Sequence, residues 1–164
     1  MGKKPSKALD NIYCAARCEA AEHNDALSSR ESAAQILGID RTRLARIELD
    51  SIIPYPDEVM QMAQVYNTPE LCNAYCSEKC SIGRQMISKV TMDDFDRLSL
   101  RLLASLKNAN NIRDSLISIS EDGKINPYER EDFERMLEDL DKISSTAQAL
   151  RIWAMKHLGN DNDE

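Results

Sequence analysis

A single glycine, Gly38, stands between two short amphipathic segments, and this arrangement constrains the fold more than any other feature of the 164-residue sequence. The sequence runs SRESAAQIL before the glycine and IDRTRLARIE after it, each with apolar residues at helical spacing. Glycine readily adopts the left-handed conformation that a tight turn at a helix end requires. We therefore predict two helices joined at Gly38, the first capped by Ser28 or Ser29 and the second by Asp40.

The rest of the first half also predicts helices and no strands. A first helix covers residues 8–23, a fourth begins at Pro56, and a shorter fifth begins at Thr68-Pro69-Glu70 and ends at Gly83. In the helix after Gly38, the apolar residues Ile39, Leu44 and Ile47 are expected to point inward. The side chains left on the outer side of that helix are those of Arg41, Thr42, Arg43 and Arg46.

The segment around Gly38 resembles the Cro/repressor-like helix-turn-helix family, which has an alanine in the first helix, a glycine turn, and a polar recognition helix that ends in an Ile-Glu pair. Here these positions hold Ala34, Gly38 and Ile47-Glu48, and the resemblance covers residues 8–67. It implies an all-α fold that begins with a five-helix, lambda-repressor-like DNA-binding domain, which we place at residues 8–83. The sequence departs from the family at Leu49-Asp50, where glycine is common.

The resemblance also implies roles for individual residues. Arg41, Thr42 and Arg43 occupy positions that face the major groove, and Arg30 occupies a position used for a phosphate or base contact. Glu48 occupies a position where the family keeps an acidic residue that braces the domain. Arginine suits base recognition because its guanidinium can donate two hydrogen bonds to one guanine.

The implied function is that of a sequence-specific transcriptional regulator, expected to be a repressor, which binds a palindromic operator in double-stranded DNA as a homodimer. The net charge of −7 requires any DNA contact to rest on a local basic patch, since residues 1–83 hold 9 Lys and Arg against 12 Asp and Glu. A non-enzymatic adaptor that uses the same helical fold to bind a protein is the alternative. No phosphate-binding loop or paired catalytic carboxylates are present, so we do not expect an enzyme.

Five cysteines in a chain without a secretion signal favour free thiols or a metal site over a disulfide framework. Cys14 and Cys18 share one face of the first helix, and three further cysteines repeat the same spacing on the fifth. If the two helices pack together, four thiolates could bind zinc or an iron–sulfur cluster. The predicted ligands are Cys14, Cys72, Cys76 and Cys80, with Cys18 as an alternative ligand. Plain packing of buried thiols and reversible thiol oxidation remain open alternatives.

The second half predicts an antiparallel helical hairpin at residues 91–158, which would make the protein a dimer. Its first helix carries a heptad seam that includes Leu98, Leu102, Ala109, Ile112, Leu116 and Ile119, and its second carries a similar stripe. Leu103, Leu106 and Ile117 form a second apolar stripe beside the seam, which a lone hairpin would leave uncovered. A second copy would bury this stripe in a four-helix bundle, and the alternative is a monomer whose hairpin folds back onto the DNA-binding domain. A basic tail at 1–7, a linker at 84–90 and a disordered tail at 159–164 complete the organisation. No membrane span or signal peptide is present, so we expect a cytoplasmic protein.

Overall fold

Helices form the regular secondary structure of residues 10–120 and 124–159, which are the residues that the computed structural model describes. No strand occurs within these ranges, so the all-α prediction is confirmed, and no helix within them is long and apolar enough to cross a membrane. The predicted basic tail, and the tail after residue 159, lie outside the described residues. In chain order the helices are α1 (Ile12–Ala20), α2 (Arg30–Leu37), α3 (Arg41–Glu48), α4 (Pro56–Val65), α5 (Glu70–Glu78), α6 (Gly83–Met86), α7 (Phe95–Leu106), α8 (Ala109–Ser120) and α9 (Arg130–Leu158), with a short 3₁₀ helix at Asp25–Leu27.

The chain divides into two compact units, Met1–Ile87 and Ser88–Glu164. The N-terminal unit contains α1 to α6, and the C-terminal unit contains α7 to α9. Each unit has its own cluster of buried apolar side chains. The predicted linker at residues 84–90 includes most of α6, the short helix that precedes the division between the units.

Side-chain caps fix where the first three helices begin. The Ser29 hydroxyl accepts a hydrogen bond from the Ser32 amide, and Asp40 accepts from two amides in the first turn of α3, as the sequence predicts. Asn11 caps α1, so within the described residues this helix begins at Ile12. The Asn11 amide group also donates to the Ile47 carbonyl at 2.9 Å, which ties the start of α1 to the end of α3.

The turn between α2 and α3 has the predicted glycine conformation. Gly38 is the residue after α2 and has φ 63° and ψ 26°, in the left-handed region. The Ile39 amide then donates to the Ala34 carbonyl at 3.0 Å, which closes the end of α2. Leu44 and Ile47 of α3 are buried in the core, which confirms their predicted inward direction. This core is formed by buried residues in or at the ends of α1 to α5 and the 3₁₀ helix: Tyr13, Ala16, Leu27, Ala33, Ala34, Leu37, Leu44, Ile47, Val59, Met62, Ala63, Tyr66 and Leu71.

Gly83 does not end α5, contrary to the prediction. The helix stops at Glu78, and Gly83 instead begins α6. Gly83 packs directly on the backbone of α5, because a Cβ atom at this position would lie 2.1 Å from the carbonyl oxygen of Cys76. Glycine is therefore required for close approach between two backbone segments and not for a turn.

The C-terminal unit differs from the prediction in its first helix. The chain between residues 95 and 120 is not one helix but two, α7 and α8, separated at Lys107 and Asn108. The side chain of Asn108 donates to Asp139 of α9 at 3.2 Å. Asparagine competes for backbone hydrogen bonds and lowers helix stability, so a break at this residue is locally favourable. Both α7 and α9 contribute to the buried cluster of this unit, which consists of Val90, Leu98, Ala149 and Ile152.

Much of the apolar surface of the C-terminal unit is exposed. Leu98 and Ile112 of the predicted seam are buried, but Leu116 of the same seam is exposed, contrary to the prediction. The break between α7 and α8 changes the register after residue 108, so one straight heptad seam cannot continue through both helices. The exposed apolar side chains on the three helices include Leu100, Leu103, Leu106, Leu116, Ile117, Leu137 and Leu140.

Candidate nucleic-acid interface

The outer side of α3 carries three exposed polar side chains that face no part of the core. Arg41, Thr42 and Arg46 are all exposed, and the first two lie in the first turn of the helix. The Arg41 guanidinium is 3.9 Å from the Glu31 carboxylate, with both side chains mostly in solvent. Such an exposed ion pair contributes little free energy, so Arg41 can leave it at small cost.

Arg43 also lies on α3, but it is held by residues at the start of α4. The Arg43 guanidinium donates through Nε and Nη2 to the two carboxylate oxygens of Glu58, the second at 2.9 Å. Its carbon Cζ lies 4.2 Å from the centre of the Tyr55 ring, a cation–π contact. The hydrogen bond from Arg43 lowers the pKa of Glu58, so this carboxylate is ionised at neutral pH. Arg43 is therefore fixed in position and not a freely moving surface cation.

Arg30, the first residue of α2, is held by an ion pair with α3. Its Nε lies 2.5 Å from Glu48, a fully buried residue of α3. Glu48 also accepts two hydrogen bonds from Arg17 of α1, at 2.6 and 3.1 Å. The bracing role expected for Glu48 is confirmed, because its carboxylate joins α1, α2 and α3. The Nε of Arg30 serves this brace, which restricts how far the side chain can reach outward.

The buried carboxylate of Glu48 is kept ionised by its arginine partners. Burial of Glu48 acts to raise its pKa, but hydrogen bonds from Arg17 and Arg30 outweigh this effect and hold the pKa below the ordinary value. Glu48 is therefore ionised, and its charge is balanced inside the unit. Its partner Arg17 is buried as well, so the pair removes one acidic and one basic residue from the surface and leaves the net charge of residues 1–83 unchanged.

The cysteines do not form the predicted metal site. All five lie in the part of the chain that the structure describes, and no group of three or more His, Cys, Asp or Glu side chains there is placed to hold a metal ion. The predicted ligand set of Cys14, Cys72, Cys76 and Cys80, with or without Cys18, is therefore not assembled. Helix spacing places the cysteines of each helix on one face, but whether the two faces meet depends on the packing of the whole unit.

Two of the five thiols are parts of the packing. Cys14 is buried, and burial is the main cause that raises its pKa to about 11. Cys72 packs against the core of the unit, and burial raises the pKa of its thiol as well. Both thiols are protonated at neutral pH, which suits apolar packing better than nucleophilic chemistry.

Two residues that contribute to this arrangement are not among the sequence predictions. Arg17 lies outside the predicted periodic side of the first helix, and its place four residues after Tyr13, on the face that the structure buries, is the available signal. Tyr55 was also missed; its place between two prolines, directly before the acidic start of a helix, is the available signal. The partners of both residues are distant in the sequence.

One side of α3 is exposed and polar, with Arg41 in the first turn of the helix and Arg46 in the last. Glu48 links this helix to α1 through Arg17, and Glu58 and Tyr55 hold the side chain of Arg43. Such an arrangement can donate several hydrogen bonds to one anionic or base-edge surface. Comparisons of the chain with protein-family models, with curated proteins and with solved structures gave no match.

Proposed function

We propose that the protein is a sequence-specific DNA-binding regulator whose N-terminal unit is a helix-turn-helix domain of the Cro/repressor-like type. The observation that carries this proposal is the pair α2 and α3, joined at the left-handed Gly38, with Arg41, Thr42 and Arg46 exposed on the second helix. A recognition helix in the major groove needs a short polar helix whose N-terminal residues point outward. α3 has these properties.

The proposed docking places α3 in the major groove, which is about 12 Å wide and admits one helix. Arg41 and Thr42 then lie nearest to the base edges, because they occupy the N-terminal turn of the helix. Arg46 lies one turn later, where it can contact a phosphate. Arg30 remains mainly a brace through its bond to Glu48, and any DNA contact that it makes would be a secondary one.

A second copy of the chain is the partner that we propose for the C-terminal unit. Its three helices expose leucine and isoleucine side chains, among them Leu103 at 65% and Ile117 at 55% of their surface. Burial of this surface in a dimer would contribute about 25 cal/mol to the free energy of association for each Å² of apolar area. A dimer also fits the function, because two recognition helices about 34 Å apart would contact a palindromic operator.

Selection of bound fragments from a random duplex library tests the proposal with the purified full-length protein. We expect enrichment of one palindromic sequence, and loss of that enrichment in Arg41→Ala. The matched control is Arg113→Ala, which removes an equally exposed arginine from α8. An unenriched library with the wild-type protein would contradict the proposal and favour the protein-binding adaptor.

A further inference from the structure

Arg43 differs from the other arginines of α3 because two residues at the N-terminus of α4, Tyr55 and Glu58, contact its guanidinium. The carboxylate of Glu58 binds the edge formed by Nε and Nη2, while Cζ lies over the Tyr55 ring, 4.2 Å from its centre. This arrangement uses one edge of the guanidinium. The adjacent edge, formed by Nη1 and the second N–H of Nη2, is not used by the carboxylate and can donate two parallel hydrogen bonds.

The two holding residues are themselves fixed. Glu58 accepts a hydrogen bond from the Tyr55 amide at 2.6 Å, within the first turn of α4, where Pro56 follows Tyr55. The side chain of Glu58 is 13% exposed, so it has little freedom to rotate. Arg43 is consequently oriented before any ligand arrives, and the side-chain entropy lost on binding is correspondingly smaller.

We propose that Glu58 and Tyr55 are positioning residues that orient Arg43 to recognise one guanine at a fixed place in the operator. This inference rests on the proposed function and names the base that one side chain selects. The free edge of a guanidinium donates two parallel hydrogen bonds to O6 and N7 of guanine in the major groove, a pattern that no other base offers. A fixed arginine discriminates by this geometry, whereas a mobile arginine can also reach a phosphate.

The negative charge of Glu58 favours selectivity for one DNA sequence over affinity for DNA in general. Glu58 is ionised and lies beside the arginine that would face the DNA, so its charge repels the phosphates nearby. A carboxylate at this position therefore weakens binding to every sequence. It improves selectivity, because Arg43 then donates to a base edge only where the correct geometry is met.

The test compares Glu58→Gln with Glu31→Gln in the full-length protein. Each variant removes one carboxylate beside an arginine of α3, but Glu31 is 73% exposed and lies 3.9 Å from Arg41. For Glu58→Gln we expect the preference for guanine at one operator position to fall at least about tenfold, while affinity for random duplex DNA rises or stays equal. For Glu31→Gln we expect that affinity for random duplex DNA also rises or stays equal, but that the guanine preference does not change.

Tyr55→Leu provides a second variant in case Glu58→Gln fails to fold. Tyr55 is 64% exposed, so its replacement opens no core cavity, and the same loss of guanine preference is expected. A wild-type protein that binds DNA, together with unchanged guanine preference in the folded variants, would overturn this inference alone. A wild-type protein that binds no DNA would overturn the proposed function and this inference with it.

Discussion

The carboxylate of Glu48 lies 2.6 Å from Nε of Arg17 in the interior of the N-terminal unit, where Glu48 is fully buried and Arg17 is nearly so. The two residues are 31 positions apart in the sequence, and their ion pair links α3 to α1. Arg17 also donates to the Leu27 carbonyl at 2.9 Å, which extends the network to the 3₁₀ helix. This network positions the proposed recognition helix.

The Glu48→Gln variant should lose much of the stability of the N-terminal unit. It leaves the buried guanidinium of Arg17 without its charged partner, and removal of one member of a buried pair costs about 3–5 kcal/mol. Urea unfolding followed by circular dichroism measures the free energy of unfolding. Glu31→Gln, which affects only an exposed pair, should change it by less than about 0.5 kcal/mol. Equal effects in the two variants would show that the buried pair has no special role.

The same pair predicts a loss of stability in acid. The pKa of Glu48 in the folded protein lies below its ordinary value of 4.5, so the folded state binds the proton less readily than the unfolded state. Its contribution is complete above pH 4.5 and disappears as the pH falls through the lower folded pKa. The free energy of unfolding should therefore fall as the pH is lowered below 4.5 in the wild type, and less steeply in Glu48→Gln. Parallel pH profiles would refute this assignment.

Replacement of Gly38 should destabilise the turn without any steric clash. A Cβ atom at this position meets no atom within 4 Å, so the cost of Gly38→Ala comes from its φ of +63° alone. We expect about 1–2 kcal/mol of destabilisation in thermal or urea unfolding. Gly38→Asn should cost less, since asparagine tolerates this conformation better. A stable Gly38→Ala protein would mean that the turn can adopt another conformation.

The exposed leucines and isoleucines of the C-terminal unit predict self-association. The double variant Leu103→Glu, Ile117→Glu places two charges on this apolar surface and should convert a dimer to a monomer at micromolar concentration. Analytical ultracentrifugation of the full-length chain measures the mass. Arg113→Glu, which changes an exposed polar residue of α8, should leave the dimer intact. A monomeric wild-type protein would contradict the proposed dimer.

The features of the fold that could be predicted from the sequence are those that depend on a few neighbouring residues. The caps at Ser29 and Asp40 and the turn at Gly38 follow from local chemistry, and the structure confirms them. The break at Asn108 was missed because leucines at spacings of three, four and seven fit one helix or two shorter ones equally well. A bond from this asparagine to Asp139, 31 residues later, is not encoded in a local pattern.

The contacts of the candidate site also join residues that are distant in the sequence. The sequence placed Arg41, Thr42, Arg43 and Arg46 on one helix, but it could not distinguish exposed arginines from anchored ones. Glu58 is 15 residues from Arg43, and Glu48 is 18 from Arg30, so both pairings depend on how the helices pack. A shared site for the cysteines of α1 and α5 depends in the same way on tertiary packing, and the described residues contain no group of three or more such side chains placed to hold a metal ion.

The salt dependence of DNA binding tests the central claim most directly. Affinity of the full-length protein for a random duplex is measured from low to physiological salt, beside Arg46→Ala and the control Arg113→Ala. Each phosphate contact contributes about 0.9 to the slope of log affinity against log salt, so we expect a steep negative slope for the wild type and for Arg113→Ala. Arg46→Ala should reduce that slope by about one contact. A wild-type protein with no measurable affinity, or with a slope of zero, would contradict the account.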